Sequence, residues 1–260
     1  MQKFYRIFTA LLAGLMLPAL TWLIISGGPA TAAPLLPASP APQRALITQT
    51  VALEPLRDNT LYESEQGTIS NGAGHYLFAG KTDNGAIRRG LLAFDLGAIP
   101  SGAVVVSASL TLNLSKSIAG ETPVALHPVS AAWGEGASDA AGEEGAGATA
   151  EPGDATWIHT FYDTGLWATP GGDFDPAPSA CTSVGGPGTY TWASPALAAD
   201  VAAWLADPAT NFGWALLGDE TTHRTAKRFD SRENEPANRP RLTITYTVEL
   251  SQVFVPLIVR

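Results

Sequence analysis

The sequence predicts an all-β chain: an antiparallel β-sandwich of the jelly-roll type with one short helix. Three observations carry this. From Ala103 to Ser115, the residues Val104, Val106, Ala108, Leu110, Leu112 and Leu114 alternate with Ser107, Ser109, Thr111 and Asn113. That period of two is what a half-buried strand requires. Near the C-terminus, Leu242, Ile244, Tyr246 and Val248 alternate with Thr243, Thr245 and Thr247 in the same way. Around them, short apolar runs are punctuated by 26 glycines and 20 prolines, the texture of a sandwich or barrel.

Residues 1–33 read as an export signal. Lys3 and Arg6 supply the positive start, Ile7 to Ile25 form an uncharged apolar run, and Ala30-Thr31-Ala32 offers a small-x-small cleavage site. The run is also long enough to serve as an uncleaved anchor, which would hold the chain at a membrane. Pro18 and the small residues that follow favour cleavage. Residues 34–44 form a Pro-rich, semi-rigid spacer. The sandwich is expected over residues 45–249, and residues 250–260 form an apolar tail too short to cross a bilayer.

Further strands are expected at Ala45–Leu53, His75–Ala79, Gly90–Leu96, Pro123–Ala131, Trp157–Tyr162, Thr189–Ala193, Gly213–Leu217 and Arg241–Val248. The helix begins where Ser194-Pro195 pairs an N-cap with proline at the first helical position. Leu197, Val201, Trp204 and Leu205 then recur at helical spacing until Asp207-Pro208 stops it. Gly134 to Gly153 and Thr169 to Pro187 carry no apolar periodicity and read as long loops, functional or disordered.

Cleavage would remove Lys3 and Arg6 but no acidic residue, leaving 13 basic residues against 24 acidic and a formal charge of −11. That argues against nucleic acid as a partner, which needs a basic surface. It suits an extracellular or cell-surface domain. Cys181 is the sole cysteine, so no internal disulfide forms and the core must hold the fold. Hard oxygen ligands are plentiful in Glu135, Asp139, Glu143, Glu144, Asp154, Asp173 and Asp175, which makes calcium the candidate cofactor. No spacing matches an EF-hand, and the competing reading is a solvated acidic loop.

The charged stretch Arg228 to Asn234 leads through Arg239-Pro240-Arg241 into the last predicted strand. So many charges are buried only when they pair with one another. One reading is a structural corner whose ion pairs involve Asp95, Asp230, Arg232 and Glu233. The other is a ligand site in which Arg88, Arg232 and Arg239 grip an acidic sugar with two-pronged guanidinium contacts. The corner is the favoured reading.

Trp133, Trp157, Trp204 and Trp214 fall within strand or helix patterns, where large aromatics fill the core. Trp167 and Trp192 lie beside loops, so their ring faces are the candidates for stacking on a sugar. Catalytic patterns are thin. His75, His127, His159 and His223 show no zinc spacing, and neither a Gly-x-Ser-x-Gly elbow nor a phosphate loop occurs. His159, Tyr162 or Tyr190 could serve a polysaccharide lyase as acid or base, and paired carboxylates a glycosidase. No catalytic residue is expected.

Ten segments in order carry a resemblance. They are Asp58-Asn59-Thr60-Leu61-Tyr62; Asn71-Gly72-Ala73-Gly74 ahead of Leu77 to Gly80; Arg89 to Leu96; Ile99-Pro100; Ala108 to Leu112; Val129 to Glu135 with its Trp-x-Glu pattern; Gly153 to Trp157; Asp200 to Trp204; Asn211 to Trp214; and Phe229 to Glu233 with Arg239-Pro240-Arg241-Leu242. Together the chain resembles the DNRLRE-type domain, a secreted bacterial and archaeal jelly-roll module. The resemblance implies a non-catalytic module of the kind found beside carbohydrate-active enzymes. Relatives of that family include modules for acidic polysaccharides such as alginate and modules of archaeal cell-surface polysaccharide. The expected function is polysaccharide binding at the cell surface or in the matrix. The alternatives are a structural surface protein that binds no sugar, and a polysaccharide lyase or hydrolase.

Overall fold

A computed structural model describes residues 45–250. The export signal, the spacer and residues 251–260 of the tail lie outside the described residues. Along the chain run β1 (Ala45–Leu53), β2 (Arg57–Tyr62), β3 (Ile69–Ser70), β4 (Tyr76–Lys81), β5 (Ile87–Ala93), β6 (Val104–Ser117), β7 (Thr122–Pro128), β8 (Ala148–Thr149), β9 (His159–Phe161), β10 (Gly165–Leu166), β11 (Ala180–Val184) and β12 (Gly188–Ala193). Helix α1 (Pro195–Ala206) follows, then β13 (Trp214–Leu217), β14 (Lys227–Asp230) and β15 (Arg241–Leu250). Leu250, assigned to the tail from sequence, is the last residue of β15.

The architecture is an antiparallel β-sandwich. In the first sheet β6 is the spine. Its residues Ser109 to Thr111 pair with β12 on one edge and with β15 on the other, and β14 continues beyond β15. β1 lies outside β15, and β4 outside β14. The second sheet runs β2-β5-β13-β7-β11. The β4–β5 hairpin joins the two, with Gly80 opposite Arg88 and Lys81 opposite Ile87.

Between the sheets lies the main core. Leu110, Leu112, Leu114, Leu242, Ile244, Tyr246, Trp192 and Phe229 of the first sheet face Leu92, Val124, Leu126, Trp214 and Leu216 of the second. The alternation read from β15 holds, and that of β6 holds from Ala108 onward. Upstream it slips. Thr245 pairs with Ser107 but Tyr246 with Val105, so Val106 is an extra residue in β6. This bulge turns Val104 and Val106 outward, 65% and 58% exposed, and packs Val105 on the core instead. A one-residue slip exchanges the faces of a strand.

Helix α1 forms as its caps dictate. Ser194 is extended and its hydroxyl accepts from Leu197 N at 3.0 Å, with Pro195 at the start. Leu197, Val201 and Trp204 turn onto the core, where Trp204 packs on Trp214 at 4.4 Å between ring centroids. The Trp214 indole donates to Asp200 Oδ2 at 2.9 Å, which ties the helix to β13.

The two long loops are ordered covers. The second sheet is buried on both faces along β2, β5 and β13, and its outer residues Leu61, Leu91, Ala93 and Ala215 form a second core with Val129, Trp133, Ala155, Trp157 and Trp167. The predicted loop Thr169 to Pro187 also contains β11, which pairs with β7 from Ala180 opposite Leu126 to Val184 opposite Thr122. Within the supposedly loop-like charged cluster, Lys227–Asp230 is strand β14 between β4 and β6.

Candidate functional site

A buried polar hub fastens the cover to β2. Asn59 is fully buried, and its Oδ1 accepts from Thr60 N at 2.6 Å, Ser70 Oγ at 3.0 Å and Asn71 N at 3.2 Å. Its Nδ2 donates to Glu135 O at 2.8 Å and Ala155 O at 3.4 Å. Glu144, in the left-handed region at φ 60°, accepts from Asn71 Nδ2, His75 N and Tyr76 N through its carboxylate. Its carbonyl accepts from the Tyr62 hydroxyl at 2.9 Å, and burial raises the pKa of that phenol. Glycines permit the close approach. A Cβ on Gly72 would fall 1.7 Å from Glu135 O, and one on Gly136, at φ +74°, 1.7 Å from Asp154 Oδ1.

Beside this hub, three motifs that are remote in sequence meet. Arg232 Nη1 lies 3.0 and 2.9 Å from the two oxygens of Glu135 and 3.2 Å from Glu233 Oε1. Arg232 N donates to Asp58 Oδ2 at 2.8 Å, and Asp58 N donates to Glu135 Oε1 at 2.8 Å. One carboxylate oxygen each from Asp58, Glu135 and Glu233 lies within 4.8 Å of the others. Burial, then the nearby Glu233 charge, pushes Asp58 well above the usual carboxylate range; burial likewise raises Glu233. Burial alone would lower Arg232, but Glu135, Glu233 and Asp58 outweigh it and hold the guanidinium above its ordinary value.

The structure distributes the remaining sequence candidates differently from expectation. Trp167 and Trp192 present no stacking face, being only 5% and 0% exposed. Trp167 donates to Thr156 O at 2.9 Å, and Trp192 donates to Val124 O at 2.7 Å and packs on Phe229. Both lie beside loops in sequence, but Trp192 points from β12 into the main core and Trp167 into the second core under the cover. Arg88 is buried, donating to Gly145 O and Ile87 O and lying 4.7 Å over the Tyr62 ring. Arg239 pairs with Glu54 at 3.1 Å and donates from Nε to Asn234 O at 2.9 Å.

The seven acidic residues read as candidate calcium ligands do not form one cluster. Only Glu135 belongs to the carboxylate group found among the described residues. Asp139 is exposed. Asp154 is buried and accepts from Glu151 N at 2.6 Å, and burial raises its pKa. Asp173 accepts from Ala168 N and Thr169 N, and Asp175 from Ala177 N, so both hold loop backbone. Glu143 is exposed between Lys116 and Arg228. Of the corner residues, Arg232 and Glu233 pair as expected. Asp230 is instead held by Asn113 and Asn234 amides, and Asp95 is exposed and accepts from Gly97 N in a turn. Both geometries satisfy a carboxylate without a cation. Cys181 is an exposed free thiol.

Sequence reasoning missed a cleft of about 400 Å³ at the end of the sandwich beside α1. Leu56, Ala93, Phe94, Ile99, Trp204 and Leu205 contribute apolar lining; Arg57, Asp95, Ser101 and Asn211 are polar. Arg57 lies 4.7 Å over the Trp133 ring. Arg57 Nε and Asn211 Oδ1 are buried and have no hydrogen-bond partner among the described residues. Asn211 stands in a motif of the resemblance, but nothing in that motif announced a pocket. No protein-family model matches the chain, and no curated protein proves similar to it.

Proposed function

We propose that this chain is an exported, non-catalytic β-sandwich module that binds polysaccharide through the cleft beside α1. One observation carries the reading: Arg57 and Asn211 border the same largely apolar cleft, and among the described residues Arg57 Nε has no acceptor and Asn211 Oδ1 no donor. Buried polar groups without partners are costly, and a ligand toward which the two side chains turn gains correspondingly. A pyranose ring offers the complement, with a C–H face for Leu56 and Leu205, the accessible apolar side chains of the lining, and hydroxyls that both donate and accept. Sites of this volume with few convergent polar groups are the usual form of small-ligand subsites. The ordered motifs that resemble the DNRLRE-type domain and the export-signal pattern of residues 1–33 support the same reading.

Affinity electrophoresis through gels containing single soluble polysaccharides tests it. At least one neutral or acidic glycan retards the wild type. Ser101→Trp, which fills the exposed rim, and Asn211→Ala, which deletes the acceptor, both abolish the retardation while the circular-dichroism spectrum is unchanged. Retardation by no glycan in a broad panel, or retardation indifferent to both substitutions, overturns the reading.

A further inference from the structure

We propose that Asp58, Glu135 and Glu233 hold a divalent cation of the calcium type. Two separate observations point there. The first is charge. Three carboxylates are gathered with one oxygen apiece inside 4.8 Å, and Arg232 supplies a single guanidinium to Glu135 and Glu233. Even with Arg57, whose charge is felt at Glu135, the cluster remains one positive charge short. Carboxylates this close repel one another unless a cation or a proton stands between them.

The second is an orphan atom. Asp58 is 1% exposed, its Oδ2 accepts from Arg232 N, and its Oδ1 is buried without a hydrogen-bond partner among the described residues. Unsatisfied buried polar atoms are few in native proteins, and an ion is one of their ordinary explanations. The carboxylate bearing the orphan oxygen is the one that belongs to the cluster.

The donor set defines the ion. It is all oxygen and all carboxylate, with no imidazole or thiolate, which suits hard cations. Calcium accepts carboxylates in flexible arrangements, whereas magnesium demands a near-ideal octahedron, so this set favours calcium. The Glu135 and Glu233 side chains are 21% and 24% exposed, so the ion has a route in and water can complete its shell. Bound there, it would join β2, the start of the cover after Trp133 and the turn after β14. An ion bound by the folded state alone raises stability by mass action. The inference does not depend on sugar binding, and its failure would leave that reading untouched.

The test uses the full chain, stripped with a chelator and titrated with calcium chloride or, separately, magnesium chloride. The expected result is saturable one-site heat in calorimetry and a concentration-dependent rise in Tm, both stronger with calcium. Asp58→Asn, which keeps an acceptor for Arg232 N, removes both signals; Glu233→Gln does the same and decides the matter should Asp58→Asn not fold. Asp139→Asn, on the exposed cover, leaves both intact. A wild type indifferent to calcium up to millimolar concentration overturns the proposal, as does a response that survives both substitutions.

Discussion

Around β6 and β15 the first sheet buries one face, whereas β2, β5 and β13 of the second bury two, and the two regions solve burial by different means. On the outer face of the first sheet, Thr50 bonds Thr245 and Thr111 bonds Thr191, each at 3.0 Å, in exposed cross-strand pairs. Water covers that face at no structural expense. In the second sheet, neighbours such as Leu91 and Leu92, or Trp214 and Ala215, are all buried, one toward each core. A sheet buried on both sides loses its alternation and needs a cover. Here the cover is built from segments whose composition is that of loops. Large aromatics give these segments a core, and buried amides and carboxylates give their backbone its partners.

Removing an aromatic from the cover should therefore have the largest effect. Trp133 is fully buried, faces the second core and donates to Phe212 O at 2.8 Å. Trp133→Ala is expected to destabilise by about 3–5 kcal/mol in urea denaturation, through lost burial, a cavity and an orphaned carbonyl. A loss under about 1 kcal/mol would mean that the cover is not a core at all. Asn59→Ala should follow, at about 3 kcal/mol, because Thr60 N, Asn71 N and Glu135 O all lose their bond to it at once, while Ser70 Oγ and Ala155 O keep each other. Its signature differs: hydrogen exchange should accelerate in residues 134–155 more than in β6 and β15. Equal acceleration in both sheets would show that the hub does not act locally. Thr191→Ala, on the watered face, should change stability by less than about 1 kcal/mol.

The same contrast decides what could be read from the sequence. β1 was legible to the residue, and β15 and α1 nearly so, because β15 and α1 bury one stripe and expose the other, and β1 half-buries Ile47, Val51 and Leu53 against exposed neighbours. β2 was not, since Asp58, Asn59 and Thr60 are polar residues buried by partners that lie up to 174 positions away. β14 was hidden for a similar reason: Lys227, Arg228 and Asp230 look solvated, yet each is satisfied inside or beneath the sheet. Of the candidate site, the Arg232–Glu233 pair was legible as a motif. The convergence of Asp58 and Glu135 on it was not, because only the tertiary fold brings strand β2 and the Trp133 loop to that turn. Tryptophan identity likewise told nothing of exposure at 167 and 192, where cover and core decide it.

The smallest expected effect lies in the first sheet, where a charge breaks its apolar inner face. Lys227 shares a face of β14 with Phe229, and both are fully buried. Its ammonium donates to Ser117 Oγ at 3.0 Å, Gly120 O at 2.7 Å and Gly185 O at 3.3 Å, all neutral acceptors. Burial lowers its pKa from 10.5. Between that lowered value and 10.5 the unfolded chain holds the proton more firmly than the folded one, so stability rises with pH through that window. Below the window both states are charged and the desolvation cost is at its full value; above it both are neutral and the cost is gone. Tyr62 acts in the opposite direction at high pH, since burial raises its pKa, but it is common to wild type and variant. The difference in unfolding free energy between wild type and Lys227→Met, measured by denaturant at matched pH, should therefore shift in favour of the wild type on going from neutral pH toward 10.5. A flat difference would mean that the amine is effectively solvated, and that the first sheet, like its threonine face, tolerates this charge because water reaches it.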